Sequence, residues 1–565
     1  MDKITYQDRP WLAHYEKHVQ PSLNYEPTCL PDFLERSAQK YPDTPALIFQ
    51  GYKLTYRGLQ DMVCRFATCL HDFGVRKGDS VAILLPNLIP CVAAYYAIMK
   101  IGGVAVMNNP LYSDRELEHQ FNDSASKVLV TLDLLGNRMI DLRPRTKVQQ
   151  IVYTSIGDYL PFPKNLLFPF VGKKKKMLAD VKPAENVYKW KEVIAKYPPN
   201  PPKTDLSFED VAMYQYTGGT TGVSKGVMLT HANLSKQVQQ IAGWFPTFGT
   251  GGEILLGALP FFHVFGLSTA MNLSIFMGWS NVLIPKPQPD PLLEAISKFK
   301  PTFAPLVPTM YIGLINHPDI QKTDISSIKG CFSGSAPLPI EVIRDFEDKT
   351  GAVIVEGYGL TETTPVTHVN PFNKEKRKIG SIGLPIPDTE CRIVSLEDGE
   401  TDMPVGQEGE LLIRGPQVMK GYRNMPGETD AVLTPDGWLH TGDIAKMDEE
   451  GYFYIVDRKK DLIICGGYNV YPRDIEEVFY EHPKVQEACS IGIPHPHRGE
   501  AVKVFVVLKQ GEKATAEELM DHCKKRLATY KLPSEIEFRE ELPKSNVGKI
   551  LRKDLRAEEM AKRKK

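Results

Sequence analysis

Short apolar runs alternate with longer amphipathic segments along most of this chain. The apolar runs include PALIF, VAILLP, KVLVTLD, EILLGALP and VIVEGYG. Such alternation is typical of an α/β protein, in which strands of largely buried sheets lie between layers of helices. Because 565 residues are too many for one hydrophobic core, we expect roughly three or four compact units.

The pattern changes after Asp457. Two short strand-like runs, EACSIGI and VKVFVVLK, lie between the helical segments PRDIEEVFYEH and ATAEELMDHCKKRLATY. We interpret this part as a separate α+β domain of about a hundred residues, which is a common domain size. The predicted domains are therefore 1–457 and 458–565.

Composition and charge exclude several classes of protein. Apolar residues make up 42% of the chain and charged residues 24%, as in globular enzymes, and the net charge of −1 provides no attraction to nucleic acid. The nine cysteines show neither a C-x-x-C pair nor zinc-binding spacing, so a reducing cytoplasm is the simplest location.

No segment has the properties of a secretion signal or a membrane span. The N-terminus MDKITYQDRPW has no basic region followed by an apolar one. The longest apolar stretch, CVAAYYAIMKIGGVAVM from Cys91, is interrupted by Lys100 and two glycines. We expect a buried helix that leads into a strand rather than a membrane-spanning helix of about 20 residues.

Residues 216–226, YTGGTTGVSKG, combine glycines and hydroxyl side chains with one lysine. They are not a P-loop, because Lys225 precedes a glycine and the following GVMLTH resembles a strand rather than a helix. A turn of backbone N–H groups, hydroxyls and one ammonium suits the β- and γ-phosphates of a nucleotide. The alternative is a plain Gly/Thr hairpin turn.

Five further stretches accompany this phosphate turn. They are SGSAPLP from Ser333, EGYGLTE over 356–362, GWLHTGD ending at Asp443, DRKKDLIICGGYNVYP from Asp457 and LPKSNVGKILR over 542–552. In this order and spacing they resemble the motifs of the adenylate-forming superfamily, which includes acyl-CoA synthetases, luciferases and the adenylation domains of peptide synthetases. Within it, NNPLY, PFFHVFG, EGYGLTETTPVTH, GPQVMKGY and DYLPFPKNLLFPF are most similar to bacterial long-chain fatty acid:CoA ligases.

The resemblance implies a fold and a reaction. The fold would be a large N-terminal domain, with two sheets flanked by helices and a small β-barrel, followed by a smaller mobile α+β domain. A fatty carboxylate would attack the α-phosphorus of ATP to give acyl-AMP and pyrophosphate, and coenzyme A would then displace AMP. Because the substrates supply the nucleophiles, the protein needs only to orient them and to stabilise charge.

Lys549 in VGKILR is the catalytic lysine that the resemblance implies, bridging the carboxylate and the α-phosphate. A compact ammonium on a long stem suits this role, although a solvated basic tail is the alternative, because Arg552 and Lys553 follow closely. Glu362 would coordinate Mg²⁺ with Thr217 as a second contact, since magnesium takes few protein carboxylates beside phosphate and water. The alternative for Glu362 is a surface residue at a helix start.

The resemblance also implies the nucleotide contacts. Tyr358 would stack on adenine, Thr361 would contact the α-phosphate, and Asp443 would accept hydrogen bonds from the ribose hydroxyls. Arg458 would add a ribose or phosphate contact. The remaining implied nucleotide-binding residues are Gly218, Gly219, Thr220, Thr221, Gly222, Ser224 and Lys225 in the phosphate turn, and Gly334, Ser335, Ala336, Glu356, Gly357 and Gly359 around the base.

For the acyl and thiol substrates, His263 in PFFHVFG would lie beside the carboxylate end of the acyl pocket, although a lone histidine among aromatic residues is often a packed core residue. Gly357 and Gly359 would leave room for substrate against the backbone. Lys460 would be the hinge of the mobile domain, and Gly466 and Gly467 would line the pantetheine tunnel.

Residues 160–176, LPFPKNLLFPFVGKKKK, are apolar and end in four lysines. They could lie on anionic lipid, or they could be a surface loop with a solvated charge run. The predicted location is cytoplasmic, and peripheral contact at the inner face of the membrane depends on which alternative holds for this segment. The resemblance favours a homodimer only slightly. Two alternatives remain for function: a ligase of medium-chain or aromatic acids, and an inactive lipid- or nucleotide-binding scaffold.

Overall fold

The computed structural model describes residues 4–217, 224–245, 248–336, 338–465, 468–496, 498–545 and 549–563. The strands are β1 Pro45–Phe49, β2 Tyr52–Thr55, β3 Ser80–Leu84, β4 Val104–Met107, β5 Val128–Leu132, β6 Gln150–Thr154, β7 Val187–Lys189, β8 Val211–Thr217, β9 Lys225–Thr230, β10 Ile254–Gly257, β11 Ser280–Leu283, β12 Phe303–Leu306, β13 Gly330–Ser333, β14 Val353–Gly359, β15 Val366–Val369, β16 Leu384–Pro385, β17 Glu390–Val394, β18 Gly409–Arg414, β19 Gly421–Tyr422, β20 Leu439–Met447, β21 Phe453–Arg458, β22 Ile463–Cys465, β23 Tyr468–Val470, β24 Val485–His495, β25 Gly499–Leu508 and β26 Glu535–Phe538.

The helices are α1 Leu30–Lys40, α2 Tyr56–Asp72, α3 Ile89–Lys100, α4 Asp114–Asp123, α5 Asp133–Leu142, α6 Lys164–Lys174, α7 Trp190–Lys196, α8 His231–Trp244, α9 Val264–Gly266, α10 Leu273–Met277, α11 Pro289–Phe299, α12 Pro308–Ile315, α13 Ile340–Thr350, α14 Pro426–Asp430, α15 Pro472–Tyr480, α16 Ala516–Lys524 and α17 Arg552–Arg563. A π-helical turn over Leu267–Asn272 joins α9 to α10. Strands and helices alternate as the sequence predicts, so the α/β class is confirmed.

The described residues divide into two compact units. The larger unit comprises Tyr15–Glu390 and Arg414–Leu439, and the smaller unit comprises Met1–His14, Cys391–Ile413 and His440–Lys565. The expectation of three or four units from chain length is wrong, because both large sheets and their helices belong to one unit. The division into domains 1–457 and 458–565 stays a prediction.

Two sheets form the centre of the larger unit. One has the order β16-β15-β14-β13-β12-β10-β11-β1-β2, and the other has the order β19-β9-β8-β4-β3-β5-β6-β7. Their central strands are parallel and connected by helices, whereas β8 and β9 form an antiparallel hairpin. The hairpin places Thr217 beside Lys225, the described residues on either side of the glycine-rich segment.

Helix α3 shows why its sequence is apolar throughout. Every residue from Ile89 to Met99 is buried, and the chain continues through Gly102 and Gly103 into β4. Gly102 has a φ of +72°, which a glycine adopts without steric cost. The prediction of a buried helix leading into a strand is confirmed, and no helix among the described residues is long and apolar enough to cross a membrane.

The smaller unit contains a four-stranded sheet of the order β17-β18-β20-β21. It also contains a sheet of β23-β22-β25-β24, with β26 paired to β25. Helices α15 and α16 contribute Ile475, Phe479, Leu519 and Cys523 to the core against this second sheet. The α+β pattern predicted after Asp457 is therefore confirmed.

Candidate active site

The phosphate turn is held by the β8–β9 hairpin. Thr217 and Lys225 are cross-strand partners on either side of the turn. Gly218, Gly219, Thr220, Thr221 and Gly222 lie outside the described residues, so their predicted contacts stay predictions. The hairpin is formed by the two strands on either side of the glycine-rich segment.

Helix α4 anchors the two ends of this turn. The hydroxyl of Tyr216 donates a hydrogen bond to Asp123 at 2.6 Å. On the other side, the Nε2 of His119 lies 3.0 Å from the carbonyl oxygen of Ser224, and the amide of Gln120 donates to the Ser224 hydroxyl at 3.4 Å. Both edges of the turn are thus fixed to one helix.

Lys225 has two described partners in the larger unit. Its ammonium forms an ion pair with Glu428 on α14 and lies 4.8 Å from the ring centroid of Tyr422. The hydroxyl of Tyr422 donates a hydrogen bond to Glu362 Oε1 at 2.7 Å. A chain of contacts therefore connects the lysine of the phosphate turn to the predicted metal ligand.

Glu362 belongs to a single 3-10 turn, Thr361–Thr363, that follows β14. Thr361 and Glu362 are half-buried, and the backbone carbonyl of Glu362 accepts a hydrogen bond from Met419 at 2.8 Å. One hard carboxylate near a hydroxyl-rich turn fits magnesium, which prefers oxygen donors and takes most of them from phosphate and water. Within the described residues, no group of three or more His, Cys, Asp or Glu side chains could hold a metal ion.

The adjacent strands β13 and β14 carry the predicted base-binding stretches. Ser333 is the parallel partner of Glu356, whose carboxylate accepts a hydrogen bond from the backbone of Leu338 at 3.1 Å. Tyr358 is half-buried, and its ring lies edge-on to His368 with centroids 5.9 Å apart. Ser335 has a φ of +73°, in the left-handed region. Gly334, Ser335 and Ala336 thus follow β13 beside the carboxyl end of β14.

Close packing against neighbouring protein atoms requires glycine at positions 357 and 359, which the sequence alone does not show. A Cβ at Gly357 would lie 2.3 Å from the ring of Phe332, and one at Gly359 would lie 1.8 Å from the carbonyl oxygen of Pro365. A side chain at either position would therefore collide with protein atoms. The expectation that these glycines leave room for a substrate stays a prediction.

His263 is half-buried at the N-terminus of α9, where its Nδ1 accepts a hydrogen bond from the backbone of Phe265 at 3.3 Å. Phe265 packs edge-on against Phe332 and lies beside Gly334. The histidine is therefore a partly exposed helix cap next to the base-binding strands rather than a fully buried core residue.

Asp443 and Arg458 lie in the smaller unit, on neighbouring strands β20 and β21. They are cross-strand partners, and Arg458 Nε lies 3.2 Å from Asp443 Oδ1. The Asp443 side chain is only 4% exposed. The sequence predicted both residues separately, and the register of the two strands brings them together.

Lys549 belongs to the same unit, where its carbonyl oxygen and N–H both bond to Ser545, at 2.7 and 3.1 Å. Much of the surface of Lys549 is exposed to solvent. Its ammonium nevertheless has many protein atoms around it, and this desolvation is the main reason that its pKa is lowered to about 8. The positive charge of Arg458 lowers the pKa in the same direction. The negative charge of Asp443 raises the pKa of the same ammonium and so partly offsets this lowering. Burial and Arg458 likewise lower the pKa of Lys460.

The basic residues after Lys549 are not a solvated tail. Arg552 begins α17 and forms ion pairs with Glu476 and Asp461 at 2.7 and 3.1 Å, and Leu555 is fully buried. Helix α17 continues to Arg563 and packs into the smaller unit through Leu555. Gly466 and Gly467 lie outside the described residues, while Cys465 beside them is buried, as its small size suggests.

Tyr422 and Glu428 have no role in the sequence prediction. Tyr422 ends the motif GPQVMKGY, which indicated only a similarity. Its aromatic ring directly after a glycine was a weak signal for a close contact, and Glu428 gave none. The pairing of β19 with β9 brings both residues next to Lys225.

The sequence model described as "AMP-binding enzyme" matches residues 34–423, and the model of the corresponding C-terminal domain matches residues 474–549. The chain belongs to the AMP-binding enzyme family. The resemblance to adenylate-forming enzymes is thereby confirmed.

Several AMP-binding enzymes are similar to this chain over nearly its full length. A long-chain-fatty-acid–CoA ligase of Bacillus subtilis (strain 168) is 48% identical, with 98% of each chain covered. An Escherichia coli O6:H1 enzyme of the same name is 41% identical with the same coverage. A probable 4-coumarate–CoA ligase of Dictyostelium discoideum is 33% identical over 93% of this chain and 94% of its own.

Two solved AMP-binding enzymes share the fold. The anthranilate CoA ligase AuaEII in complex with anthranoyl-AMP has a TM-score of 0.84 at 26% identity and covers 99% of both chains. ATP-bound MatB from Rhodopseudomonas palustris has a TM-score of 0.79 at 30% identity, covering 94% of this chain and 98% of its own.

Proposed function

We propose that the protein is an AMP-forming long-chain fatty acid:CoA ligase. The observation that carries the proposal is the identity of 48% over nearly the full length with a ligase of that name. The contacts among Lys225, Tyr422 and Glu362, and the pair of Asp443 and Arg458, support it. These side chains provide the cations and acceptors that binding a nucleotide triphosphate requires.

In the first half-reaction, a carboxylate oxygen of the fatty acid forms a bond to the α-phosphorus of ATP, and the bond from that phosphorus to the bridging oxygen of pyrophosphate breaks. Thr217, Ser224, Lys225 and the intervening turn hold the β- and γ-phosphates through N–H groups, hydroxyls and one ammonium. Glu362, with Thr217 as a second contact, would hold magnesium, whose charge would neutralise the phosphates. The protein mainly orients two anions and reduces their repulsion.

The nucleoside binds through side chains of both the base-binding strands and the ribose pair. Tyr358 stacks on adenine, with Gly334 to Ala336 and Glu356 to Gly359 along its edges. Thr361 donates to the α-phosphate. Asp443 accepts from the ribose hydroxyls, and Arg458 holds its carboxylate and adds a second contact.

Lys549 bridges the carboxylate and the α-phosphate, where its ammonium reduces the repulsion between them. His263 lies at the carboxylate end of the acyl pocket. The lowered pKa of Lys549 supports this role, because strongly perturbed groups are common at catalytic positions.

In the second half-reaction, the sulfur of coenzyme A forms a bond to the acyl carbon, the bond to the AMP oxygen breaks, and the thiol loses its proton. The lysine of the first step and the thiol of the second compete for the same space. We infer that domain 458–565 turns at Lys460 between the steps, so that Gly466 and Gly467 then line the path of pantetheine.

Helix α6 supports peripheral contact with anionic lipid. Phe162 just before the helix and Phe170 within it are 78% and 79% exposed, and Leu166 and Leu167 are 61% and 58% exposed. Phe168 points instead to Gly157 and Gly172, which holds the helix to the protein. With Lys173 to Lys176 at its end, α6 has the apolar face and adjacent positive charge that anionic membranes bind. We therefore expect the protein at the inner face of the membrane, and a homodimer stays a prediction.

Pyrophosphate release measured over acids of graded chain length, with and without coenzyme A, tests the proposal. We expect release to increase from medium to long chains, because each buried CH₂ contributes about 0.8 kcal/mol. A preference for aromatic acids would favour the second candidate, to which the similarity to a 4-coumarate–CoA ligase points. Absence of release with every acid would show a binding protein without ligase activity.

A further inference from the structure

We propose that Tyr422 is a positioning residue that holds the lysine of the phosphate turn and the metal-binding carboxylate in one arrangement. The inference rests on the proposed function, because it assumes that Lys225 binds phosphate and Glu362 binds magnesium. Under this inference, the single side chain of Tyr422 orients both Lys225 and Glu362, because it contacts each of them.

The backbone of Tyr422 is fixed from both sides. In β19, Gly421 and Tyr422 pair with Met228 and Val227 of β9. The hydrogen bonds from Lys420 to Met228 and from Arg423 to Gly226 extend this pairing, at 3.0 and 2.8 Å. Because β9 begins at Lys225, the tyrosine is attached to the same strand as the lysine.

Helix α14 contacts the backbone of Tyr422 on the other side. Its N–H donates to the hydroxyl of Thr429 at 2.9 Å, and Gly421, with a φ of +139°, brings the backbone close to that threonine. The residue as a whole is only 7% exposed. The phenol therefore has a defined direction, which a side chain that positions other groups requires.

The hydroxyl of Tyr422 fixes Glu362. It donates to Oε1 at 2.7 Å, while Met419, three residues before Tyr422, donates to the Glu362 carbonyl oxygen at 2.8 Å. The segment that carries Tyr422 thus holds Glu362 by both side chain and backbone.

The ring of Tyr422 supports Lys225. The ammonium lies 4.8 Å from the ring centroid, within the range of a cation–π contact. The other contact of Lys225, Glu428, has a side chain that is 53% exposed. A bound triphosphate can draw the ammonium away from this exposed carboxylate while the buried ring continues to support it.

Two variants separate the hydroxyl from the ring. Tyr422→Phe removes only the hydrogen bond to Glu362, whereas Tyr422→Leu also removes the ring beneath Lys225. Tyr25→Phe is the matched control, because the Tyr25 hydroxyl donates to the carboxylate of Asp388 at the same distance of 2.7 Å. Nucleotide binding is measured by isothermal titration calorimetry of the full-length protein, with ATP in magnesium and with ATP in EDTA.

We expect Tyr422→Phe to weaken binding of magnesium-ATP about tenfold, since a hydrogen bond to a charged acceptor is lost, and to leave binding of ATP in EDTA unchanged. Tyr422→Leu should weaken both. Equal loss with and without magnesium in Tyr422→Phe, affinities like wild type, or the same pattern in Tyr25→Phe would overturn the inference.

The same proteins distinguish this inference from the proposed function. If wild type binds magnesium-ATP and releases pyrophosphate while Tyr422→Phe matches it in both, only the role of Tyr422 is wrong. If wild type binds no magnesium-ATP, the proposed function and the inference are both wrong.

Discussion

Lys225 and Glu428 form an ion pair beside the phosphate turn, and the lysine is the more buried partner, with 19% of its side chain exposed against 53% for the glutamate. Lys225, the only basic residue within 216–226, is thus paired with a carboxylate of the protein itself. Under the proposed function, the phosphates of ATP must compete with Glu428 for that ammonium.

Replacing Glu428 with Gln should therefore lower the KM for ATP. Because an exposed ion pair contributes at most about 1 kcal/mol, the expected change is about fivefold or less. The measurement is fatty-acid-dependent exchange of pyrophosphate into ATP at varied ATP concentration. Glu341→Gln, which removes an exposed ion pair with Arg344 on α13, is the control. An unchanged or raised KM would show that Glu428 does not compete with phosphate.

Lys549→Ala should abolish adenylation and leave thioester formation from supplied acyl-AMP largely intact. The reason is that the ammonium is needed only while two anions meet at the α-phosphorus. Each half-reaction is measured separately, by pyrophosphate release and by acyl-CoA formation. Lys553→Ala, which removes an exposed lysine of α17, is the control. Loss of both half-reactions in Lys549→Ala would contradict the assigned role.

The adenylation rate should fall as pH rises through about 8. Desolvation and the charge of Arg458 lower the pKa of Lys549 to about 8, so its charged form predominates below that pH and is lost above it. Lys549→Arg keeps its charge over this range and should remove the alkaline fall, whatever its absolute rate. Single-turnover pyrophosphate release on both sides of pH 8 gives the profiles. An alkaline fall shared by both proteins would assign the titration to another group.

Replacing Phe162 and Phe170 together with Ser should reduce binding to vesicles that contain anionic lipid, because both side chains are about four-fifths exposed. Replacing Lys173 to Lys176 with Gln should reduce binding too, and this loss should be largest at low salt. Co-sedimentation with vesicles is the measurement, and Leu111→Ser is the control for an exposed apolar residue elsewhere, at 74% exposure. Unchanged sedimentation of both variants would remove the membrane contact.

The sequence was most informative where one element carries its own pattern. The run PALIF coincides with β1, the apolar stretch after Cys91 lies in α3 and continues to β4, and GVMLTH lies largely in β9. In each case, burial of a whole strand or helix leaves a local run of apolar residues. The position of the phosphate turn between β8 and β9 was predictable for the same reason.

Sequence reasoning was weaker where two distant segments meet. It did not predict that Phe332 and Pro365 would lie where side chains at Gly357 and Gly359 would point. It also left a solvated basic tail open as an alternative for the residues after Lys549, whereas Arg552 is paired with Glu476. Local composition does not show which neighbour a glycine or an arginine will have.

The motifs and their order revealed the resemblance to adenylate-forming enzymes. Apolar runs predicted the α/β class and several strands and helices, because periodicity and turn residues are properties of consecutive positions. The contacts of Tyr422 with Glu362 and of Asp443 with Arg458 were decided only by strand order and register. Tyr422 and Glu362 are 60 residues apart in the chain. Pairing at such separation depends on how all the intervening elements pack, which no local pattern specifies.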